Sequence, residues 1–161
     1  MGDRLVYEDN VKCYWVDSVE DISEVTTTEL DSGTFLPEIT IDGLNVNPTN
    51  NNASIAMLDS GKIGAKPGTR SMEVTLRFAR NVSDDIAWDL FEYGLSGYLV
   101  VSRFGPIESS DNPVLPAPIE VYAATAHDPV PVASAQDTYQ QFEVPLAIED
   151  WMTKAELVEA V

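Results

Sequence analysis

Several residue types on which common protein functions depend are scarce in this chain. Cys13 is the only cysteine and His127 the only histidine among 161 residues. A single thiol excludes an intrachain disulfide and a thiolate metal cluster. The longest dense apolar run covers residues 98–101, far short of the roughly 20 residues that span a bilayer. Residues 1–4 show no basic stretch followed by an apolar region, so we expect no secretory signal and synthesis in the cytosol.

Positive charge is also scarce. The chain has 9 Lys and Arg residues against 27 Asp and Glu residues, a formal net charge of −18. Proteins that bind nucleic acid by neutralising its phosphates need the opposite balance, so the composition excludes that class. Two interpretations remain open on charge alone. The acidity is either an ordinary soluble surface or a surface that must repel nucleic acid lying close to it.

The patterns that carry catalysis or ligand binding are missing as well. His127 lies in a Pro-rich segment beside Asp128, and no G-x-S-x-G nucleophile motif accompanies it. Asp84 and Asp85 are adjacent, but a helix start explains them. The chain has neither the spacing of a calcium loop nor that of a phosphate-binding loop, and Cys13 is expected to be a buried structural thiol. We therefore predict no enzyme, no metal and no cofactor.

What the sequence does contain is strand patterning. Residues 69–79 alternate strictly, with Met72 and its i+2 neighbours apolar and the residues between them polar. Residues 138–148 alternate in the same way, although Pro145 predicts an edge or a bulge there. Residues 97–104 are apolar on both faces and predict a central strand. Shorter strands are predicted at residues 38–42 and 119–125.

Helical signals are fewer. Residues 83–94 predict one amphipathic helix, with Ser83 as N-cap and Gly94 just past its end. Its apolar stripe, which should pack against a sheet, consists of Ile86, Ala87, Leu90 and Phe91. A threonine among residues 26–28 is expected to cap a single turn that ends at residues 31–33. Thr153 and Glu156 form a capping-box pattern for a short terminal helix.

Residues 43–68 are rich in Gly, Asn and Pro and predict a long loop or a loosely paired hairpin. Loops longer than about 12–15 residues in a compact domain are usually functional or disordered. Taken together, the patterns predict one domain over residues 1–161. It should be an antiparallel β domain of six or seven strands with one packed helix. Residues 1–21 and 149–161 are candidate terminal arms or dangling tails.

Several short segments, taken in order, resemble the major tail tube protein of long-tailed (siphovirus-type) actinobacterial bacteriophages. They are the G-T-F-L run at 33–36, D-G-L-N at 42–45, M-E-V-T-L at 72–76, and the helix containing A-W-D-L at 87–90, which leads into Y-L-V-V-S-R at 98–103. I-E-V-Y at 119–122 and Q-F-E-V-P at 141–145 complete the series. The resemblance covers residues 33 to about 148; the acidic N-terminal thirty residues and the tail from 151 lie outside it.

This resemblance implies an antiparallel β-sandwich or barrel of the tail tube type with one packed helix at about residues 83–93. It also implies hexameric rings that stack into a hollow tube around a tape-measure protein, with tail terminator and tail-tip proteins at the ends. The tube would conduct DNA to the host without binding it specifically and without a membrane partner. The protein would be assembled in the host cytoplasm and end in the virion tail. A negative lumen would then explain the acidity.

Two sets of residues gain candidate roles from this resemblance. The candidate lumen-facing residues are Glu73, Thr75, Arg77, Gln141 and Glu143. The candidate inter-ring contacts, in the 43–68 segment, are Asn47, Asn50, Asn51, Asn52, Lys62 and Lys66. A surface loop without a role is the alternative for that segment. For the whole chain, a tail terminator or head–tail joining ring is the first alternative, and a monomeric binding module is the second.

Overall fold

The computed structural model describes residues 11–56, 61, 63–103, 115–133, 135–136 and 138–160. Within them, nine strands form one sheet in the order β3-β1-β6-β7-β9-β5-β4, and β2 and β8 also pair with β9. The strands are β1 Lys12–Val16, β2 Glu24–Thr26, β3 Thr34–Phe35, β4 Ile39–Ala56, β5 Ile63–Ala79, β6 Ser96–Ser102, β7 Ala117–Ala126, β8 Val130–Pro131 and β9 Gln141–Val158. The helices are α1 Thr27–Asp31 and α2 Ile86–Leu90. The predicted fold class is confirmed. The described residues form nine strands where six or seven were predicted, because the short strands β2, β3 and β8, of two or three residues each, add to the longer ones.

Strand β9 organises the sheet. Its first half pairs antiparallel with β5, from Gln141 opposite Ala79 to Ala147 opposite Glu73. Its second half pairs antiparallel with β7, as far as Leu157 opposite Ala117. The end of β9 also pairs with β2, in parallel. One strand of 18 residues therefore belongs to both halves of the sheet.

The sheet curls back on itself. Its terminal strands β3 and β4 are consecutive in the chain and are separated by only the three residues 36–38. Leu36 N–H donates to Cys13 O at 3.0 Å, and Ala79 N–H donates to Glu38 O at 2.8 Å. These bonds tie the connection to β1 on one side and to β5 on the other. The sheet thus wraps around one interior, as a barrel does.

That interior is the main core. The predicted alternation of β5 is confirmed, since its buried side chains are Met72, Val74, Leu76 and Phe78. Phe78 stacks on Phe142 of β9 at 5.3 Å between ring centroids, and Trp15 meets Phe91 edge-on at 5.1 Å. The thiol of Cys13 lies in the same core, where burial raises its pKa to about 12. The expectation of a buried structural thiol is therefore confirmed, since Cys13 is 1% exposed.

A second core covers the opposite face of β1, β6 and β7. Val16, Val100 and Val121 pack there against Val25 and Leu30, which come from β2 and α1. The run that is apolar on both faces at residues 98–101 thus lies in β6, which is hydrogen-bonded between β1 and β7 as predicted. The predicted capped turn is α1, where Thr26 and Glu29 form a capping box. In this capping box, Glu29 N–H donates a hydrogen bond to Thr26 Oγ1 at 3.2 Å.

The second helix is shorter than predicted. α2 covers only Ile86–Leu90, and the N-cap position is Asp85 and not Ser83. The Asp85 carboxylate accepts a hydrogen bond from Arg80 Nε at 2.6 Å, so it holds the preceding strand and makes no cap. Phe91 already has an extended backbone, at ψ 128°, which directs the chain away from the helix. Gly94 has φ +86° and lies in the following turn, where a glycine is needed.

The four residues predicted as the packed stripe of this helix divide into two groups. Ala87 and Phe91 are buried, and Leu90 packs partly against the main core. Ile86 is 41% exposed, which differs from the expectation. The helix is instead fastened by Trp88, whose ring meets Phe142 edge-on at 5.1 Å and carries the Arg80 guanidinium at 3.9 Å on its face. Five residues of helix are too few to present a continuous stripe.

The C-terminal helix prediction is wrong. Thr153 and Glu156 belong to β9, and Glu156 N–H donates to Ser23 O at 2.9 Å. Ala155 and Leu157 alternate into the second core, so burial outweighs the capping-box pattern. The candidate C-terminal arm is therefore sheet as far as Val158. The candidate N-terminal arm is likewise β1 from Lys12 onward; residues 1–10 lie outside the described residues.

The sequence predicts an edge or a bulge at Pro145, and the residue lies at a local edge, because no described strand pairs with β9 at this residue on the side away from β5. It stands opposite Thr75 within the β5–β9 ladder. Its carbonyl accepts a hydrogen bond from His127 N–H at 3.0 Å, on the side where β7 has ended. The N–H and C=O of one strand residue point to the same side. The missing donor therefore faces the connection after β7, where no ladder needs it.

Gly97 offers a test of how tightly the main core is packed. A Cβ at this position would lie 2.8 Å from ring carbons of Trp15, which is 1% exposed. We expect Gly97→Ala to lower the free energy of unfolding by about 1–3 kcal/mol, because the indole has no room to move away. Urea unfolding measures this change. The matched control is Gly64→Ala, where a Cβ has no atom within 4 Å; equal effects of the two substitutions would contradict this packing.

Candidate assembly surface

The outer face of β4, β5 and β9 is polar. Glu73, Thr75 and Arg77 alternate with the buried residues of β5 and therefore point away from the core. Arg77 stands opposite Glu143, and Gln141 stands opposite Ala79. On the other side of β5, the partners on this face include Asn45, opposite Thr75, and Asn47, opposite Glu73. The structure thus brings all five candidate lumen-facing residues onto one continuous face of the sheet.

An ion pair lies at the centre of this polar face. Arg77 Nε donates to Glu143 Oε1 at 3.0 Å, and Arg77 Nη2 contacts the same oxygen. Asp42 Oδ2 lies 3.8 Å from Arg77 Nη1 on the opposite side. The bond to Glu143 is the main reason that the pKa of the Arg77 guanidinium is raised. The guanidinium is therefore shared between two carboxylates, and Glu73 on the same face adds further negative charge.

Beyond this face, β4 and β5 continue as a two-stranded ribbon, which consists of residues 48–56 of β4 and 63–71 of β5. Pairing extends from Leu44 opposite Leu76 to Ala56 opposite Ile63, with an irregularity between Asn50 and Asn52. Residues 43–68, for which a loop and a hairpin were both considered, are therefore a hairpin wherever the structure describes them. At about 3.3 Å per residue, the part of β4 from Pro48 to Ala56 is about 26 Å long.

This ribbon has no core of its own. Residues 63–71 of β5 are all exposed, whereas burial alternates from Met72 onward. Ile63 is 71% exposed although it is a large apolar side chain. An isolated two-stranded hairpin is marginally stable at best in water. The ribbon therefore has the form of an element that is completed by contact with another surface.

The candidate inter-ring residues lie along the ribbon. Asn47 is at its base, Asn50 and Asn52 face Arg70 and Pro67, and Lys66 faces Ala53. Asn51 donates from Nδ2 to Thr69 Oγ1 at 3.1 Å, which closes the two strands across the irregularity. Lys62 lies outside the described residues.

The outer edge of β4 is open to pairing. Among the described strands, β4 pairs only with β5, so one side of its backbone faces away from the sheet. Edge strands in soluble proteins usually carry charged side chains or prolines that prevent pairing with other chains. Residues 43–56 contain no charged residue, and Pro48 is the one proline among them. This edge is therefore suited to hydrogen bonding with a second chain.

Two contributors to this surface could not be found from strand alternation alone. Asp42 reaches Arg77 from the irregular stretch of β4 between the paired residues Ile39 and Leu44. Arg70 lies over the ring of Trp151 at 5.2 Å, which anchors the base of the ribbon to β9. Both depend on the register of strands that are distant in sequence. The one contact on this surface that the sequence could have indicated is the Arg77–Glu143 pair, because a correct pairing of β5 with β9 places their opposite charges together.

The described residues include His127 and most of the acidic side chains of the chain. No group of three or more His, Cys, Asp and Glu side chains in that part of the chain is placed to hold a metal. His127 contacts the ring of Tyr93 at 6.2 Å and hydrogen-bonds through its backbone to β9. No helix in the described residues is long and apolar enough to cross a bilayer.

Comparison with known proteins agrees with an assembly role. No curated protein matches the chain. A solved structure described as "Cryo-EM structure of the anti-feeding prophage (AFP) baseplate, 6-fold symmetrised" aligns with a TM-score of 0.58 over 94% of this chain and 96% of that chain. The two sequences are 7% identical, so this likeness shows the fold alone. The sequence model of the family described as phage tail tube protein matches residues 2–161. The chain therefore belongs to the phage tail tube protein family, and it is a structural component of the virion tail, not an enzyme.

Proposed function

We propose that this protein forms rings of six copies that stack into the tail tube through which DNA reaches the host. The observation that carries the proposal is the β4–β5 ribbon, which extends beyond the core, is exposed along residues 63–71 and has an uncharged outer edge. A ribbon of this kind gains stability by contact with a neighbouring copy. The structurally similar chain comes from a baseplate that was symmetrised six-fold, which supports the ring size.

In the proposed ring, the polar face of β4, β5 and β9 forms part of the lumen wall. Sheets from neighbouring copies would join edge to edge, which removes exposed strand edges as a closed barrel does. The lumen would then be lined by Glu73, Thr75, Gln141 and the Arg77–Glu143 pair. DNA is retained by cations that replace its counterions. Because the Arg77 guanidinium is shared between the carboxylates of Glu143 and Asp42, it does not cancel the negative charge of this face. A DNA duplex would therefore slide past it.

The remaining partners follow from the resemblance of the sequence to siphophage tail proteins. A tape-measure protein would occupy the lumen during assembly in the host cytoplasm, and terminator and tail-tip proteins would close the ends. A single-ring component is the second candidate, because the structurally similar chain comes from a baseplate. A monomeric binding module is less well supported, since Trp15 is buried and Trp88 and Trp151 pack against the main core.

Deleting residues 47–66 tests the role of the ribbon. We expect the shortened subunit to fold, because the deletion leaves the buried half of β5 and all of β9 in place. It should form no long tubes, because the surface that reaches the next ring is gone. Negative-stain microscopy and sedimentation velocity measure assembly, and the full-length chain is the control.

The full-length chain separates the candidate functions in the same experiment. Tubes of stacked rings support the proposed function, and isolated rings favour the single-ring component. A strict monomer at high concentration contradicts both. Long tubes from the deletion variant would remove the ribbon from the stacking mechanism while leaving the tube itself in place.

Glu143→Gln tests the lumen assignment. The substitution keeps the shape of the side chain but withdraws the charge that covers Arg77. We expect tubes of this variant to retain several-fold more labelled DNA duplex when assembled with it at low salt, and to lose the excess at high salt. Co-sedimentation measures retention. The Arg77→Gln/Glu143→Gln double variant is the matched control and should behave as the unaltered protein; equal retention by all three proteins would place this face outside the lumen.

A further inference from the structure

Positive charge is concentrated in the ribbon. Its described residues, 48–56 and 63–71, hold two of the nine cationic residues, Lys66 and Arg70, and none of the 27 acidic residues. These residues therefore carry a formal charge of +2, and the rest of the chain carries −20. The division is sharp for a chain whose net charge is −18. The ribbon and the rest of the chain therefore carry net charges of opposite sign.

Three cations of the body, which is the chain outside the ribbon, are bound by carboxylates of the same chain, whereas Lys12 and Lys154 form no ion pair with any described residue. Arg77 is bound by Glu143, and Arg80 Nε lies 2.6 Å from Asp85 Oδ2. Arg103 is likewise bound by Glu120. In the ribbon, Lys66 is exposed and forms no ion pair with any described residue, and Arg70 contacts the Trp151 ring and not a carboxylate. The ribbon thus presents cations that its own chain, as far as the structure describes it, does not neutralise.

The body has exposed acidic residues that lie close to one another. In the parallel pairing of β2 with β9, the exposed residue Glu24 stands opposite Glu156, which is also exposed. Like charges placed opposite each other in a sheet repel, and a cation from outside relieves that repulsion. Asp17, Glu20 and Asp21 precede β2 and are exposed as well. A basic ribbon and an acidic body on the same chain are complementary surfaces when two copies meet.

We propose that the ribbon binds the acidic body of a second copy by charge attraction, with Lys66 as a principal contact. The inference rests on the proposed function, because it requires copies that stack. It adds that the contact is electrostatic, and it predicts that salt weakens assembly. Two bodies of equal charge repel, so salt would strengthen assembly if body–body repulsion dominated. A contact between the ribbon and the body instead weakens as the screening length falls from about 10 Å at 0.1 M to about 3 Å at 1 M salt.

The test uses the full-length protein and the concentration at which tubes first form. We expect this critical concentration to rise as NaCl increases from about 0.05 to 0.5 M, the range over which screening of exposed charges becomes strong. At low salt, Lys66→Glu should raise it about ten-fold or more, because one attraction per contact becomes a repulsion. Lys154→Glu is the matched control: it makes the same charge change at an exposed position of the body, two residues from Glu156 on β9, and should not weaken assembly, because it adds to the acidic surface that the ribbon is proposed to bind.

Light scattering and negative-stain microscopy measure assembly, and thermal unfolding confirms that each variant is folded. Unaltered assembly of Lys66→Glu, an equal loss with Lys154→Glu, or tubes that strengthen with salt would each overturn the charge contact while leaving the tube function in place. Absence of tubes from the unaltered protein would overturn the proposed function itself. If Lys66→Glu formed tubes normally but lost binding to a labelled DNA duplex, the ribbon would be a nucleic-acid contact and the inference would be wrong.

Discussion

Strand β9 holds the two halves of this protein in one sheet, and the other features depend on that pairing. Its first half fixes β5, whose outer face carries the candidate lumen residues and whose extension forms the ribbon. Its second half fixes β7 and, through the parallel pairing with β2, closes the second core. Because the strand is hydrogen-bonded over nearly its whole length, it gives the ribbon a rigid base on which to be presented.

The ribbon follows from this base and from a change in side-chain chemistry along β5. From Met72 to Phe78 the strand has a core to cover, and apolar residues alternate accordingly. In residues 63–71, which precede Met72, the side chains are small or polar, and only Ile63 is large and apolar. The chain therefore continues a strand that its own core does not stabilise. In the proposed tube, the missing stabilisation would come from a neighbouring copy, and the contrast of charge between ribbon and body would provide an attraction suited to it.

Prediction from the sequence succeeded where burial on one face imposes a period of two. The strand around Met72 was found in this way. The strand at residues 98–101 was found because it is apolar on both faces, and the threonines at residues 26–28 marked α1, where Thr26 is the N-cap. Prediction failed where distant pairing overrides a local pattern. The capping-box spacing of Thr153 and Glu156 suggests a helix, but β7 and β2 hold that segment as a strand.

The candidate site divides in the same way. The five residues of the polar face could be named from alternation alone, because each alternates with the buried residues of its strand. The contact of Arg77 with Asp42 depends on an irregular register of β4 that no local pattern reveals. Pairing within residues 43–68 was equally hidden, because a run of asparagines beside glycines and prolines has the composition of a loop. Only the alternative of a loosely paired hairpin anticipated it.

The central claim is that the ribbon is completed by a neighbouring copy. Amide hydrogen exchange of residues 48–56 and 63–71, compared between dispersed subunits and assembled tubes, tests this most directly. We predict rapid exchange in the dispersed protein and strong protection in the tube, while the amides of β9 are protected in both states. Equal exchange of the ribbon in the two states would contradict it.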